Sequence, residues 1–207
     1  MPGGDRKTVY CSGALFCPED VRAMEAIAGT LEAAGYAAFL PHADGVEAFV
    51  LNAVNKPLSN LLVFRPVVRF LNKATFALDI SKIVDCDYFV FNMNGAAPDE
   101  GGVVETGVAF ATGKPIVIFR NDLRGVGAYA GSTPVVGASY TCETVGDMEK
   151  IPAALEDIAG RLRSIGNTRE APAMPAPLRK VVKFGRLVGR VLRAFSLFKP
   201  RNMMSTQ

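Results

Sequence analysis

The chain has 207 residues, 49% of them hydrophobic, and a mean hydropathy of +0.21, enough to bury one full core in one domain with an appendage. No apolar run approaches the ~18–20 residues of a membrane span, and the opening MPGGDRKT leads into a strand pattern without an apolar signal region. The net charge of +3 hides an asymmetry: residues 171–207 hold eight of the 23 Lys and Arg and no acid, leaving 15 basic against 20 acidic side chains in the first 170 residues. A mildly acidic body and a strongly basic tail imply two separately employed regions.

Taken in order, residues 7–13 (KTVYCSG) read as a first strand ending in Ser-Gly. Pro18 opens a helix with acids in its first turn, Val21, Met24, Ile27, Ala28 and Leu31 on one face, and Gly35 as its stop. Residues 36–40 form a short second strand closed by Pro41. Residues 44–75 read as an irregular, apolar, helical excursion broken by Pro57 and Pro66, a candidate lid, subunit contact or extra cover for the sheet. A helix over 76–85 carries Asp79, with Ile80, Ile83 and Val84 on its buried side. Residues 87–93 (DYFVFNM) are β-formers, a helix carries Val104, Val108 and Ala111 at helical spacing, and 116–119 is the next strand. A Gly-rich loop over 121–133, a strand over 134–141 and an amphipathic helix over 147–164 complete the body. Strands alternating with helices predict a doubly wound parallel sheet. The domain reading is an α/β domain over 1–165, a Pro/Ala linker over 166–177 and a basic amphipathic tail over 178–207.

The stretch 94–115 (NGAAPDEGGVVETGVAFATGKP) organises the rest. It places an acidic, Gly-rich loop and the start of a helix at the carboxyl edge of the sheet, where open α/β sheets bind ligands. Glu105 is expected in the first helical turn, where the helix dipole favours a charged carboxylate. The structural alternative is a capping residue three positions after a Gly N-cap. Asp99 and Glu100 beside Gly101-Gly102 favour a ligand, because carboxylates gathered there repel one another unless something uses them.

Other motifs exclude more than they suggest. Gly125-Val-Gly127-Ala-Tyr-Ala130 fits a dinucleotide fingerprint but does not follow the first strand, and no phosphate-binding loop pattern occurs. His42 is the sole histidine. The four cysteines lack metal-ligand spacing, so neither a metal nor a disulfide framework is expected, and they read as free thiols of a reducing cytoplasm. In 178–199, Phe184, Leu187, Val188, Val191, Leu192, Phe195 and Phe198 share one helical face and Arg179, Lys183, Arg186, Arg190 and Arg193 the other. Such a helix suits an anionic membrane surface or an acidic partner, or packs on its own domain or a neighbouring subunit; no recognition fold for nucleic acid accompanies it.

Tyr10 in VYCSGALF, Asp79 in FALDISKIVDCD, Asp99 in PDEGG and Glu105 in VVETGVAFATGKP together resemble the nucleoside 2-deoxyribosyltransferase family, which also includes nucleoside 5′-monophosphate N-glycosidases. The similarity covers about residues 7–120. It implies a flavodoxin-like fold and transfer of 2-deoxyribose between nucleobases, without a cofactor. Glu105 would be the nucleophile, forming a glycosyl-enzyme intermediate. Tyr10 would orient its carboxylate, Asp79 would protonate the departing base, and Asp99 would hold sugar hydroxyls. Ser12, Gly13, Gly101, Gly102, Phe16 and His42 complete the expected substrate-binding set. Hydrolysis of a monophosphate by the same glutamate, with Ser12-Gly13-Ala14 cradling the phosphate, stays open beside transfer, as does a non-catalytic nucleotide sensor. The implied partners are a nucleoside or nucleotide, a free nucleobase and further copies of the chain, in a cytoplasmic location, peripheral to the membrane where the tail helix meets lipid.

Overall fold

The computed structural model describes residues 6–46, 48, 65–95, 99–121, 141–164 and 174–194. The chain forms two compact units, Met1–Phe39 with Cys86–Ala173, and Leu40–Asp85 with Met174–Gln207.

Among the described residues the first unit holds a five-stranded parallel sheet of β1 (Thr8–Gly13), β2 (Ala37–Phe39), β3 (Tyr88–Asn92), β4 (Ile116–Phe119) and β5 (Cys142–Val145), in the order β2-β1-β3-β4-β5. This is the flavodoxin-like arrangement, and its strand order reverses between β1 and β3. Every residue of β3 and β4 is buried, as a parallel sheet covered on both faces requires. Helix α1 (Pro18–Ala33) lies on β1 and β2. Gly35, at φ +90°, lets the chain turn from α1 into β2. Helix α4 (Glu100–Ala111) packs on β1, β3 and β4, and α5 (Ile151–Ser164) on β4 and β5.

At the amino end of the sheet Lys7 Nζ donates to Glu156 on α5 at 2.8 Å and to the Tyr88 hydroxyl at 2.7 Å. The Tyr36 and Tyr88 hydroxyls each donate to Glu156 Oε1 at 2.9 Å. The Lys7 bond, followed by the two phenols, holds Glu156 below the usual carboxylate range. Burial pushes the thiols of Cys86 and Cys142 up, to about 11 and about 12, so both stay protonated near neutrality.

The second unit contains α2 (Pro41–Asp44), α3 (Arg65–Asp85) and α6 (Ala176–Ala194). The excursion expected over 44–75 is corrected in its described part: residues 65–75 belong to one 21-residue helix, α3, that continues to Asp85. Pro66 falls in its first described turn and does not interrupt the helix, which runs on through Asp85. Helix α6 packs along α3 with Leu192 joining Val46, Ala74 and Leu78, and with Leu71, Phe184 and Val188 around them. A Cβ on Gly185 would stand 1.8 Å from the Ala77 carbonyl oxygen, so glycine alone permits this backbone approach. Arg186 grips Asp85 with two bonds, 2.6 and 3.2 Å.

Among the described residues a strand is found at Cys142–Val145, just after the segment 134–141 where one was expected. Residues 134–140, the fingerprint at 125–130, Pro57 and the linker before Met174 lie outside the described residues.

Candidate functional site

Tyr10 and Ser12 are two apart on β1 and therefore project to the same face, the one that α4 covers. The register places Tyr10 beside Phe39 on one side and Phe89 on the other. The three rings stack, with centroids 5.4 and 5.7 Å from that of Tyr10, and this ladder fixes the phenol's direction. The Tyr10 hydroxyl donates to Glu105 Oε1 at 2.9 Å, and Ser12 Oγ donates to Oε2 at 2.6 Å. Both donors are buried and Glu105 is half-buried, so the carboxylate rests on two hydroxyls at the edge of the core.

The first turn of α4 makes this approach possible. A Cβ on Gly102 would meet Phe91 at 2.4 Å and Ser12 Oγ at 2.9 Å. Asp99 is the N-cap, accepting from the Gly102 N–H at 2.6 Å. This corrects the expected helix start. The helix begins at Glu100 rather than after a glycine cap, Glu105 lies in its second turn, and Asp99 does the capping. Thr106 Oγ1 donates back to the Gly102 carbonyl at 2.6 Å, tying the same turn from inside.

Gly13 ends β1 beside Asn92, where a Cβ would crowd Met24 Sδ at 2.7 Å and Asn92 Cβ at 3.0 Å. Asn92 Oδ1 accepts from Asn94 Nδ2 at 3.0 Å, and Asn94 Oδ1 accepts from the Asn121 N–H at 2.9 Å, linking the carboxyl ends of β3 and β4. Sequence reasoning passed over these asparagines. It also missed the bond from Ser12 to Glu105, although the two-residue strand period that aims Tyr10 also aims Ser12. Phe16 follows β1 in a loop and is 84% exposed, the largest uncovered ring in the described first unit. Gly101 is exposed at the start of α4.

The first unit thus brings together Tyr10, Ser12, Gly13, Asp99, Gly101, Gly102 and Glu105 at the carboxyl edge next to the β1/β3 switch point. Asp79 and His42 belong to the second unit, where Asp79 is buried on α3 and His42 lies in α2. Among the described residues no group of three or more His, Cys, Asp or Glu is arranged to hold a metal ion.

A profile of the nucleoside 2-deoxyribosyltransferase family matches residues 9–150, more than half of the chain. The chain belongs to that family. Its fold is similar to that of a conserved protein from Enterococcus faecalis V583, at 22% identity and a TM-score of 0.51, over 76% of this chain and 99% of that one. A CMP N-glycosidase of Clostridium botulinum, BcmB, aligns at 18% identity over 72% of this chain and 98% of that one, with a TM-score of 0.41. No curated protein matches. Family membership makes glycosyl transfer of the nucleoside 2-deoxyribosyltransferase type the general chemistry of this member.

Proposed function

We propose that the protein is a nucleoside 2-deoxyribosyltransferase that works through a covalent glycosyl intermediate on Glu105. The observation that carries this reading is the pair of hydrogen bonds from Tyr10 and Ser12 to the two oxygens of one half-buried glutamate. They fix the carboxylate's plane and leave it little rotamer freedom to lose in reaching a near-attack geometry.

The chemistry follows the two-step logic of retaining glycosyl transfer. One Glu105 oxygen bonds to C1′ of the bound deoxyribose as the C1′–N bond breaks, and the departing base takes that bond's electron pair. Asp79, on the family resemblance, supplies the proton that neutralises the base. An incoming base then attacks C1′ from the vacated face, gives up its proton to Asp79, and releases the Glu105 carboxylate. Tyr10 and Ser12 hold the oxygens in both steps. Asp99 presents the first turn of α4 through its cap and, on the same resemblance, meets the sugar hydroxyls. Phe16 and His42 stay in the proposed substrate-binding set. Val103, Val104 and Phe110 leave the outer face of α4 apolar beside Glu105, which suits a site completed by a second copy of the chain.

The test is base exchange. With a deoxynucleoside donor and labelled adenine, the wild-type protein forms labelled deoxyadenosine, and Glu105→Gln lowers that rate by at least about a thousandfold with its far-UV spectrum intact. Release of free sugar phosphate from a deoxynucleoside monophosphate, without exchange, would assign the hydrolase instead. Binding without turnover of either substrate would assign a sensor.

A further inference from the structure

We infer that the α3–α6 pair of the second unit is a docking surface for an anionic lipid bilayer. Among the described residues no helix is long and apolar enough to cross a membrane, so the contact is one of surface. Helix α6 turns Val182, Gly185 and Leu192 towards α3, and this uses only part of its apolar stripe. Leu187 and Val191 remain 49% and 44% exposed. They follow Phe184 at helical spacing, on one flank of the helix. Phe70 of α3, 58% exposed, meets the Phe184 ring edge-on at 6.2 Å, so the apolar flank continues from one helix onto the other.

Basic side chains border that flank on both helices. Lys180, Lys183 and Arg190 are exposed on α6, and Arg69 and Lys73 are exposed on either side of Phe70 in sequence. Helix α6 has no acid at all. Of the two acids on α3, Asp85 is engaged by Arg186 and Asp79 is buried. The crowding of positive charge extends inwards: burial first, then the Arg193 charge, pushes the Lys82 ammonium below its usual range.

Exposed apolar side chains fringed by Lys and Arg match a bilayer's anionic headgroups over its acyl boundary. Nucleic acid offers no apolar layer for Leu187 and Val191. A second copy docking through this face would bring like charges together.

The test uses the full chain and sedimentation with vesicles of phosphatidylcholine, with or without about a third phosphatidylserine. Binding is expected to the phosphatidylserine vesicles, roughly a hundredfold above the neutral ones, and to fall steeply with salt. Lys180→Gln with Lys183→Gln and Arg190→Gln should lower binding by roughly a hundredfold, at about fivefold per charge. Leu187→Ser with Val191→Ser should lower it severalfold without changing its salt dependence. All five positions are exposed, and circular dichroism verifies that the variants fold. Equal affinity for both vesicles, no binding, or binding indifferent to both variants overturns the inference. So does a fall in oligomeric mass of the Leu187/Val191 variant by light scattering, which would make a second copy the occupant. Base exchange by the unmodified chain without lipid is read separately, so failure of this inference leaves the assigned chemistry standing.

Discussion

The first and second units both rely on glycine to bring a helix against its neighbour, yet they use the closeness differently. At Gly102 the missing side chain admits Phe91 and Ser12, and the gain is a polar contact that delivers Glu105 to two hydroxyls. At Gly185 the missing side chain admits the backbone of α3, and the gain is apolar packing with an outward surface left basic. The same local device serves the proposed reacting group in one unit and the proposed adhesive surface in the other. What separates them is the polarity of the residues that glycine lets in.

The strongest way to break this contrast is to fill each gap. Gly185→Val should lower stability by about 3 kcal/mol or more, because even its Cβ overlaps the Ala77 carbonyl and α6 must lift off α3. Urea titration of the full chain measures it, and a loss under about 1 kcal/mol would mean the helices slide apart without penalty.

The contrast was only half legible in the sequence. Strand–helix alternation gave the sheet, and spacing among Tyr10, Asp79, Asp99 and Glu105 picked out the proposed site, of which Tyr10, Asp99 and Glu105 lie in the first unit and Asp79 in the second. The start of α4 was misplaced by its glycines: Gly101-Gly102 looks like a helix boundary, whereas Gly102 is required inside the first turn by Phe91, a neighbour 11 residues earlier and adjacent only in the fold. In the same way Pro66 reads as a breaker, yet the helix runs on from it to Asp85. The apolar stripe of α6 was evident from its period, but its division between α3 and solvent depends on which residues α3 turns towards it. Local propensity carries no information about that partner.

Ser12 sharpens the catalytic side. Ser12→Ala should lower kcat about tenfold with KM within about twofold, as expected for loss of one hydrogen bond to a charged group. Tyr10→Phe should act similarly, and the pair should combine less than additively because both act on one carboxylate. Steady-state base-exchange kinetics read both; an effect confined to KM would assign Ser12 to substrate binding instead.

The smallest expected effect lies at the opposite end of the sheet. Glu156→Gln should lower Tm by about 2–4 °C near neutral pH, corresponding to about 1 kcal/mol for a half-exposed cluster. Because Glu156 titrates below its ordinary range in the fold, its contribution is full above the unfolded-state carboxylate pKa and is lost as pH falls through the folded one. The wild-type advantage over the variant should therefore shrink on acidification, and calorimetry from neutral pH downwards tests this. An advantage that grows towards acid would contradict it.

The most direct measurement is mass spectrometry of the enzyme quenched in acid during turnover of a deoxynucleoside without acceptor base. The account predicts one deoxyribosyl group attached to the peptide containing Glu105, discharged when adenine is added before quenching. An unmodified enzyme during active turnover, or an adduct on another residue, would contradict it.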